Sequence, residues 1–307
     1  MMLTLRAPAK LNLYLRVMGR RPDGYHEIDT LFERIDLADE LTFEEHPREL
    51  RLTCTEPTLS CGENNLVLRA AELLRRTAGV SRGARIHLVK RIPIAAGLGG
   101  GSSDAAATLL GLNELWGLRL DGATLHELAA TIGSDVLFFL TQEPFAVGRG
   151  RGEICEPIAS PIRLSHVLVA PGVPLSTKEI YAGAQFDLTA PKPSSTMLVH
   201  ALRNGSLGEL AKGLWNDLEP EAIRRCPLIE PLQLRLRELG CLSVRVSGSG
   251  SAVFGLCSSV AHAQAIARRL AEIARTTAAH WRIEVVQTDH PVRGAAPVQA
   301  TARHETA

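Results

Sequence analysis

"PIAAGLGGGSSDAAATLLGLNELW" (residues 93–116) is the segment from which the fold of this chain is read. Gly97, Gly99, Gly100 and Gly101 carry no Cβ, so an anionic group can approach the backbone closely. Successive N–H groups in such a loop form an anion-binding nest. The helix that follows adds free N–H groups and the positive end of its dipole. Ser102 and Ser103 supply hydroxyl donors or a helix cap. Ala105, Ala106 and Ala107 are small enough to pack beneath the loop. Leu109, Leu112 and Trp116 follow at i, i+3 and i+7 and hold the helix against a core. The spacing predicts a glycine loop over 97–101 and a helix from about Ser102 to Trp116. A glycine cluster alone reads equally well as a plain turn; strand, four glycines, Ser-Ser and an Ala-rich helix in succession favour phosphate binding. The loop has no Lys and is not a Walker A loop. It matches G-x-G-x-x-G only in part, with Ser102 in the last place, and the upstream strands lack the βαβ units of a dinucleotide fold.

Outward from this loop, composition narrows the class. The 307 residues suggest about two domains as a soft prior. At 45% apolar and 22% charged, the chain can bury a large core and is not disordered throughout. A formal charge of +1, without basic clusters, opposes a nucleic-acid partner. No stretch approaches the ~20 apolar residues of a membrane span. Arg6 and Lys10 interrupt the place where a signal peptide needs its apolar block, so a cytoplasmic protein is expected. Cys54, Cys61, Cys155, Cys226, Cys241 and Cys257 form no C-x-x-C pair and read as thiols in a reducing compartment. The histidines form no H-x-x-x-H pair, so no structural zinc site is expected.

The coarse pattern predicts strands at 3–17 (interrupted by Pro8), 40–45, 48–55, 84–92 and 162–172. A turn-rich loop is expected at 20–29, with Asp23-Gly24 as its turn signal. Helices are expected at 65–78 and at 121–132, the second capped by Asp121. Residues 189–195 read as a loop. Helical stretches follow at 195–203, 206–212 and 228–239. A strand, Gly-Ser turn and strand occupy 242–257, with a helix at 260–275 and a last strand at 281–287. The class is α+β, without the alternation of a doubly wound sheet. A boundary near 160 is expected to separate domains 1–160 and 161–290, and the tail 291–307 is expected to be disordered.

Four segments together carry a family resemblance: "PAKLNLYL" (8–15), "RPDGYHEIDTLF" (21–32), the glycine loop, and "GSDVLFF" (133–139). "NDLEP" (216–220) and "VSGSGSAVFGL" (246–256) extend it over about residues 3–290. The chain resembles the GHMP kinases, which include galactokinase, homoserine kinase and mevalonate kinase. Within them it is similar to the branch that phosphorylates cytidine diphospho-methylerythritol for isoprenoid precursors. The resemblance implies a two-domain GHMP kinase fold, with a ribosomal-protein-like N-terminal domain and a C-terminal α/β sandwich. It implies ATP as co-substrate, Mg²⁺, a small-molecule acceptor, and no nucleic-acid or membrane partner. A monomer or weak homodimer is expected.

The same resemblance assigns roles. Asp135 is the candidate general base; a lone Asp after Gly-Ser would otherwise read as a helix cap. Lys10 is placed near Asp135, where it favours the ionised carboxylate and stabilises charge on the transferred phosphoryl group. Alternation puts Lys10, Asn12 and Tyr14 on one face and Leu11, Leu13 and Leu15 on the other. ATP is assigned to Pro93, Ile94, Ala95, Ala96, Gly97, Leu98, Gly99, Gly100, Gly101, Ser102 and Ser103, with Asn65 and Lys90 near the adenine. Asn12, Tyr25, His26, Tyr181 and Gly248 are assigned to the acceptor, Tyr25, His26 and Tyr181 around its cytosine. Gly248 and Gly250 form a second glycine loop. No protein ligand to Mg²⁺ is assigned, Ser103 being the one candidate contact. Two departures are visible: Leu137 stands where relatives commonly have Pro, and Ala95-Ala96 replace glycines. Another GHMP kinase, of homoserine or mevalonate type, is the alternative. A dinucleotide-dependent oxidoreductase is a more distant rival.

Overall fold

A computed structural model describes residues 2–141, 143–189 and 191–290. In chain order the elements begin with β1 (Met2–Arg20), β2 (His26–His46), β3 (Leu50–Cys54), α1 (Leu66–Thr77) and β4 (Gly83–Val89). There follow α2 (Gly100–Leu115), α3 (Gly122–Ile132), α4 (Val136–Leu140), β5 (Phe145–Arg149) and β6 (Ile154–Ile158). The second half holds β7 (Ser165–Ala170), α5 (Thr177–Gly183), α6 (Ser195–Arg203), α7 (Leu207–Gly213), β8 (Trp215–Asn216) and α8 (Glu219–Arg225). It ends with α9 (Ile229–Glu238), β9 (Ser243–Val246), β10 (Val253–Cys257), α10 (Val260–Thr276) and β11 (Arg282–Gln287). The expected tail 291–307 lies outside the described residues.

Two sheets organise this α+β chain. The first runs β3-β4-β2-β1-β8, with β5 on β2 and β6 on β5. The second runs β11-β7-β10-β9. β8 belongs to the first sheet although it lies late in the chain, pairing Tyr14 with Trp215 and Leu15 with Asn216.

β1 decides how the halves meet. Pro8 does not interrupt it. Instead the pairing with β2 shifts register at Pro8/Ala9, Asn12/Tyr14 and Val17/Gly19. Each shift puts unpaired residues into one strand and turns the side chains that follow. As a result Leu3, Leu5 and Ala7 pack with the helices on the first sheet. Ala9, Leu11, Leu13 and Tyr14 pack with α6, α7 and the second sheet, and Leu15 and Val17 enter a third cluster under α8, α9 and α10. The expected common face of Lys10, Asn12 and Tyr14 is therefore corrected. Leu13 is the unpaired residue, and beyond it the alternation reverses. Tyr14 turns away into the core, with its hydroxyl donating to Pro193 O at 2.8 Å, and Leu15 joins the face of Lys10 and Asn12.

Three other sequence expectations shift. The loop at 20–29 is shorter, because β2 starts at His26. Helix α2 begins at Gly100, with Gly99 at its N-cap at φ 69°, so Gly100 and Gly101 form its first turn. Elements at 136–140, 145–149, 154–158, 177–183 and 219–225 were not separated by periodicity, each being five to seven residues long. The α2 axis lies close on the sheet because of Gly111, where a Cβ would come 2.6 Å from Phe43 Cε2. Trp116 closes the same layer, fully buried, its indole N–H donating to Gly83 O at 3.2 Å. Each large apolar side chain buried here contributes roughly 1.5–3 kcal/mol.

Candidate active site

The two sheets leave a cleft of ≈ 1500 Å³ between the glycine loop, β1 and α5. Every residue assigned from sequence lines it except Ser103. Ser103 is buried under the loop, and its hydroxyl has no hydrogen-bond partner among the described residues.

At the centre Lys10 Nζ stands 3.8 Å from Asp135 Oδ2. The Lys10 side chain is 5% exposed and that of Asp135 33%. Lys10 Nζ also donates to Asn12 Oδ1 and lies 5.7 Å from the centroid of the Phe32 ring. Asn12 is oriented in turn by donating to Thr30 Oγ1 at 2.8 Å, and Thr30 donates to Tyr14 O. Burial lowers the Lys10 pKa, and the Asp135 carboxylate works against that loss. Asp135 occupies the N-cap position of α4, yet its side chain makes no capping hydrogen bond. The carboxylate is thus free for Lys10 and for the cleft. Leu137, in the place of the family's Pro, is buried against the first core and keeps α4 packed without it.

The glycine loop rests on the second one. Gly97 adopts φ 79°, and a Cβ there would lie 2.0 Å from Ser247 O, so only glycine fits. Ser247 Oγ donates to Gly97 O at 3.0 Å, and Ala252 N donates to Ala96 O at 3.1 Å. Ala95 carries φ 51°, a left-handed conformation glycine would adopt without strain, and its carbonyl is held by Leu175 N at 3.0 Å. Lys10 N donates to Leu98 O at 3.0 Å, tying β1 to the loop.

Beneath the start of α2 lies a buried charge cluster. Lys90 Nζ meets Asp39 Oδ2 at 2.5 Å and Asp104 Oδ2 at 2.6 Å. Asp39 Oδ1 accepts from Arg91 N and Ile92 N. Asp104 Oδ1 has no hydrogen-bond partner among the described residues. Burial opposes charge on Lys90, but Asp104 and Asp39 outweigh it and raise its pKa. Burial, with Asp39 adding to it against the pull of Lys90, raises Asp104 from its ordinary 3.8 to about 7. The folded state therefore holds a proton the unfolded chain releases, and stability falls as pH rises between 3.8 and about 7. Asp104→Asn removes this slope. In nucleotide-free protein, urea unfolding followed across that window should show the variant gaining on wild type as pH increases. A pH-independent difference would contradict the assignment.

Asn65 caps α1, accepting from Val67 N at 2.9 Å, and faces the cleft as well. At the other end of the cleft the His26 ring stacks on Tyr181, with centroids 5.1 Å apart and an interplanar angle of 24°, and meets Phe186 edge-on at 5.4 Å. Burial and nearby Arg20 lower the His26 pKa, which favours the neutral imidazole. Tyr25 is exposed, with the Arg151 guanidinium 4.8 Å from its ring centroid. Tyr181 thus packs against His26 directly. Arg151, Phe186, Asp39 and Asp104 were missed from sequence. "GRGRG" (148–152) was a usable signal for Arg151, a cation on a glycine-rich turn. Nothing local marks Asp39 or Phe186.

Among the described residues, no group of three or more His, Cys, Asp or Glu side chains is placed to hold a metal ion. Among them, too, no helix is long and apolar enough to cross a membrane.

Known proteins are similar to this chain over most of its length. Residues 65–143 match the model of the GHMP kinases N terminal domain, and residues 198–275 match GHMP kinases C terminal. The 4-diphosphocytidyl-2-C-methyl-D-erythritol kinase of Pelotomaculum thermopropionicum is 42% identical over 270 residues, covering 88% of this chain and 94% of that protein. The kinase of the same name from Geobacillus thermodenitrificans is 41% identical over 258 residues, covering 83% and 88%. A crystal structure of 4-(cytidine 5'-diphospho)-2C-methyl-D-erythritol kinase superimposes with TM-score 0.76 at 40% identity, covering 92% of this chain and 99% of that one. A homoserine kinase structure from Cytophaga hutchinsonii shares the fold, with TM-score 0.75 at 19% identity over 95% and 96% of the two chains. With two glycine loops joined across two sheets and a Lys–Asp pair at their edge, this chain belongs to the GHMP kinase family, on the branch of the 4-diphosphocytidyl-2-C-methyl-D-erythritol kinases.

Proposed function

We propose that this chain transfers the γ-phosphoryl group of ATP to the 2-hydroxyl of 4-(cytidine 5'-diphospho)-2-C-methyl-D-erythritol. The observation that carries this reading is the Lys10–Asp135 pair, 3.8 Å apart, in a cleft shared by the glycine loop and the His26–Tyr181–Phe186 aromatic group.

Residues 93–102 hold the triphosphate, using the N–H groups of Gly100 and Gly101 at the start of α2 and the Ser102 hydroxyl. Asn65 and Lys90 border the adenine. Asn12 and Gly248 bound the space beside the acceptor's reacting end. Tyr25, His26, Tyr181 and Phe186 receive the cytosine.

Asp135 takes the proton of the acceptor hydroxyl as its oxygen bonds to the γ-phosphorus. The bond from that phosphorus to the bridging oxygen breaks in line, and ADP leaves. Lys10 offsets the charge that spreads over the phosphoryl oxygens. Mg²⁺ bound with ATP would supply further neutralisation of the triphosphate; among the described residues no carboxylate cage is placed to hold it.

The same proposal divides the chain near residue 160, between β6 and β7, with β8 returning to the first sheet.

A panel of acceptors decides the test. With MgATP and the cytidine-linked polyol, ADP release is expected, and the polyol phosphate without its cytidine should be a poor acceptor. Release with homoserine or mevalonate but not with the cytidine compound would overturn the assignment.

A further inference from the structure

We propose that Asn216 is a positioning residue that sets the second glycine loop over the Lys10–Asn12 pair. The inference rests on the kinase reading and concerns a residue to which that reading gives no role. Asn216 lies in β8 and is buried. Its pairing with Leu15 places it beside β1, the strand that carries Lys10 and Asn12. Its Nδ2 donates to two carbonyl oxygens at once, Val246 O and Gly248 O, each at 2.8 Å. Its Oδ1 accepts from Leu218 N at 2.9 Å. The orientation of the amide follows from these partners. Carbonyl oxygens only accept and a main-chain N–H only donates, so a flipped amide would lose all three bonds.

The clamped carbonyls flank Ser247, whose hydroxyl accepts from Asn12 N at 3.3 Å and donates to Gly97 O at 3.0 Å. Gly248, at φ 54°, comes so near the reacting groups that a Cβ would lie 3.0 Å from Asn12 Oδ1 and 3.1 Å from Lys10 Nζ. β1 belongs to the first sheet, while residues 247–251 connect strands of the second. Beside the Ser247 hydroxyl, the Asn216 amide is thus a second polar tie from β1 and its partner strand to this loop. A shift of the loop by a fraction of a residue would change the space open to the acceptor and the neighbours of Lys10.

Asn216→Asp tests this with little change of shape. Its carboxylate replaces two donors by acceptors facing two carbonyl oxygens, and repulsion moves the loop. Asn216→Ser removes the clamp without adding charge. Leu236→Ala serves as a control: Leu236 is fully buried in the third core, in α9, and takes no part in the site.

At a temperature where the variants are folded, kcat of both Asn216 variants should fall by about 10²-fold, the scale of a small misplacement at a reacting centre. The KM for ATP should change little, because the first turn of α2 is not held by this clamp. Leu236→Ala should lose thermal stability and keep its kcat. The inference is overturned if either Asn216 variant keeps near-normal kcat, if Leu236→Ala loses as much, or if both Asn216 variants fail to fold. That last result would show a strut of the whole sheet rather than a clamp on the loop. Absence of phosphoryl transfer in the wild-type chain would instead refute the kinase reading.

Discussion

Asp135→Asn should lower kcat by about 10³-fold, within the range ascribed to a positioned general base. The amide keeps the size of the side chain but cannot take a proton from the acceptor hydroxyl. Stability should barely change. Asp135 is one-third exposed, makes no capping bond and touches Lys10 only at 3.8 Å, so the fold draws little from it. The KM for ATP should also hold, since residues 93–103 and the start of α2 are untouched. Single-turnover measurement with the cytidine-linked acceptor separates the chemical step from product release. A variant that retains most of its single-turnover rate would show that the proton leaves by another route and that Asp135 serves only Lys10. A variant that loses activity through a raised KM for ATP would move Asp135 from the chemistry to nucleotide binding.

Lys90→Met should cost about 3–5 kcal/mol of folding stability, because it strands two buried carboxylates without their cation. Asp39 and Asp104 are at 0% and 3% side-chain exposure, and Lys90 bridges them at 2.5 and 2.6 Å. The sign with pH follows from the raised Lys90 pKa. In the wild-type chain the stabilisation is complete below the ordinary lysine value of 10.5 and fades as pH climbs through the higher folded value. In the Met variant the stranded carboxylates recover by taking up protons, so its deficit should shrink toward acid pH. Adding Asp104→Asn to Lys90→Met should restore part of the loss, since one buried charge is then gone. Urea unfolding of the single and double variants forms the cycle. If Lys90→Met unfolds like wild type, the cluster is wet and weak, and Lys90 is held in place for the nucleotide alone.

How far these groups could be read beforehand depended on whether their signal was local. The glycine loop was legible because phosphate binding needs small residues at adjacent positions followed by a helix, and adjacency is what a sequence displays. Its boundary was misplaced by two residues because glycine is a poor helix former, while here Gly100 and Gly101 open the helix. Lys10 and Asn12 shared a face as alternation required, but Tyr14 did not. The bulge at Leu13 is set by the partner strand and leaves no mark in the local pattern. Asp39 belongs to β2 and is 51 residues from the lysine it neutralises. An acidic residue in a strand, next to Glu40, reads as solvent-facing until the packing of α2 buries it. Asn216 stands in "NDLEP" (216–220), yet its hydrogen bonds need Gly248, 32 residues away, and a strand pairing with β1.

The sequence by itself determined the groups available to this protein: a glycine-rich loop that opens a helix, one lysine and one carboxylate from distant segments, and aromatic residues near each of them. These depend on residue type and short spacing, which are covalent facts. The tertiary structure alone decided how these groups meet. Register shifts along β1 thread it through three cores, and the second glycine loop comes to rest on the first at Gly97. Those placements come from burying apolar surface between elements far apart in the chain, a free energy shared by many residues and written in none of them singly.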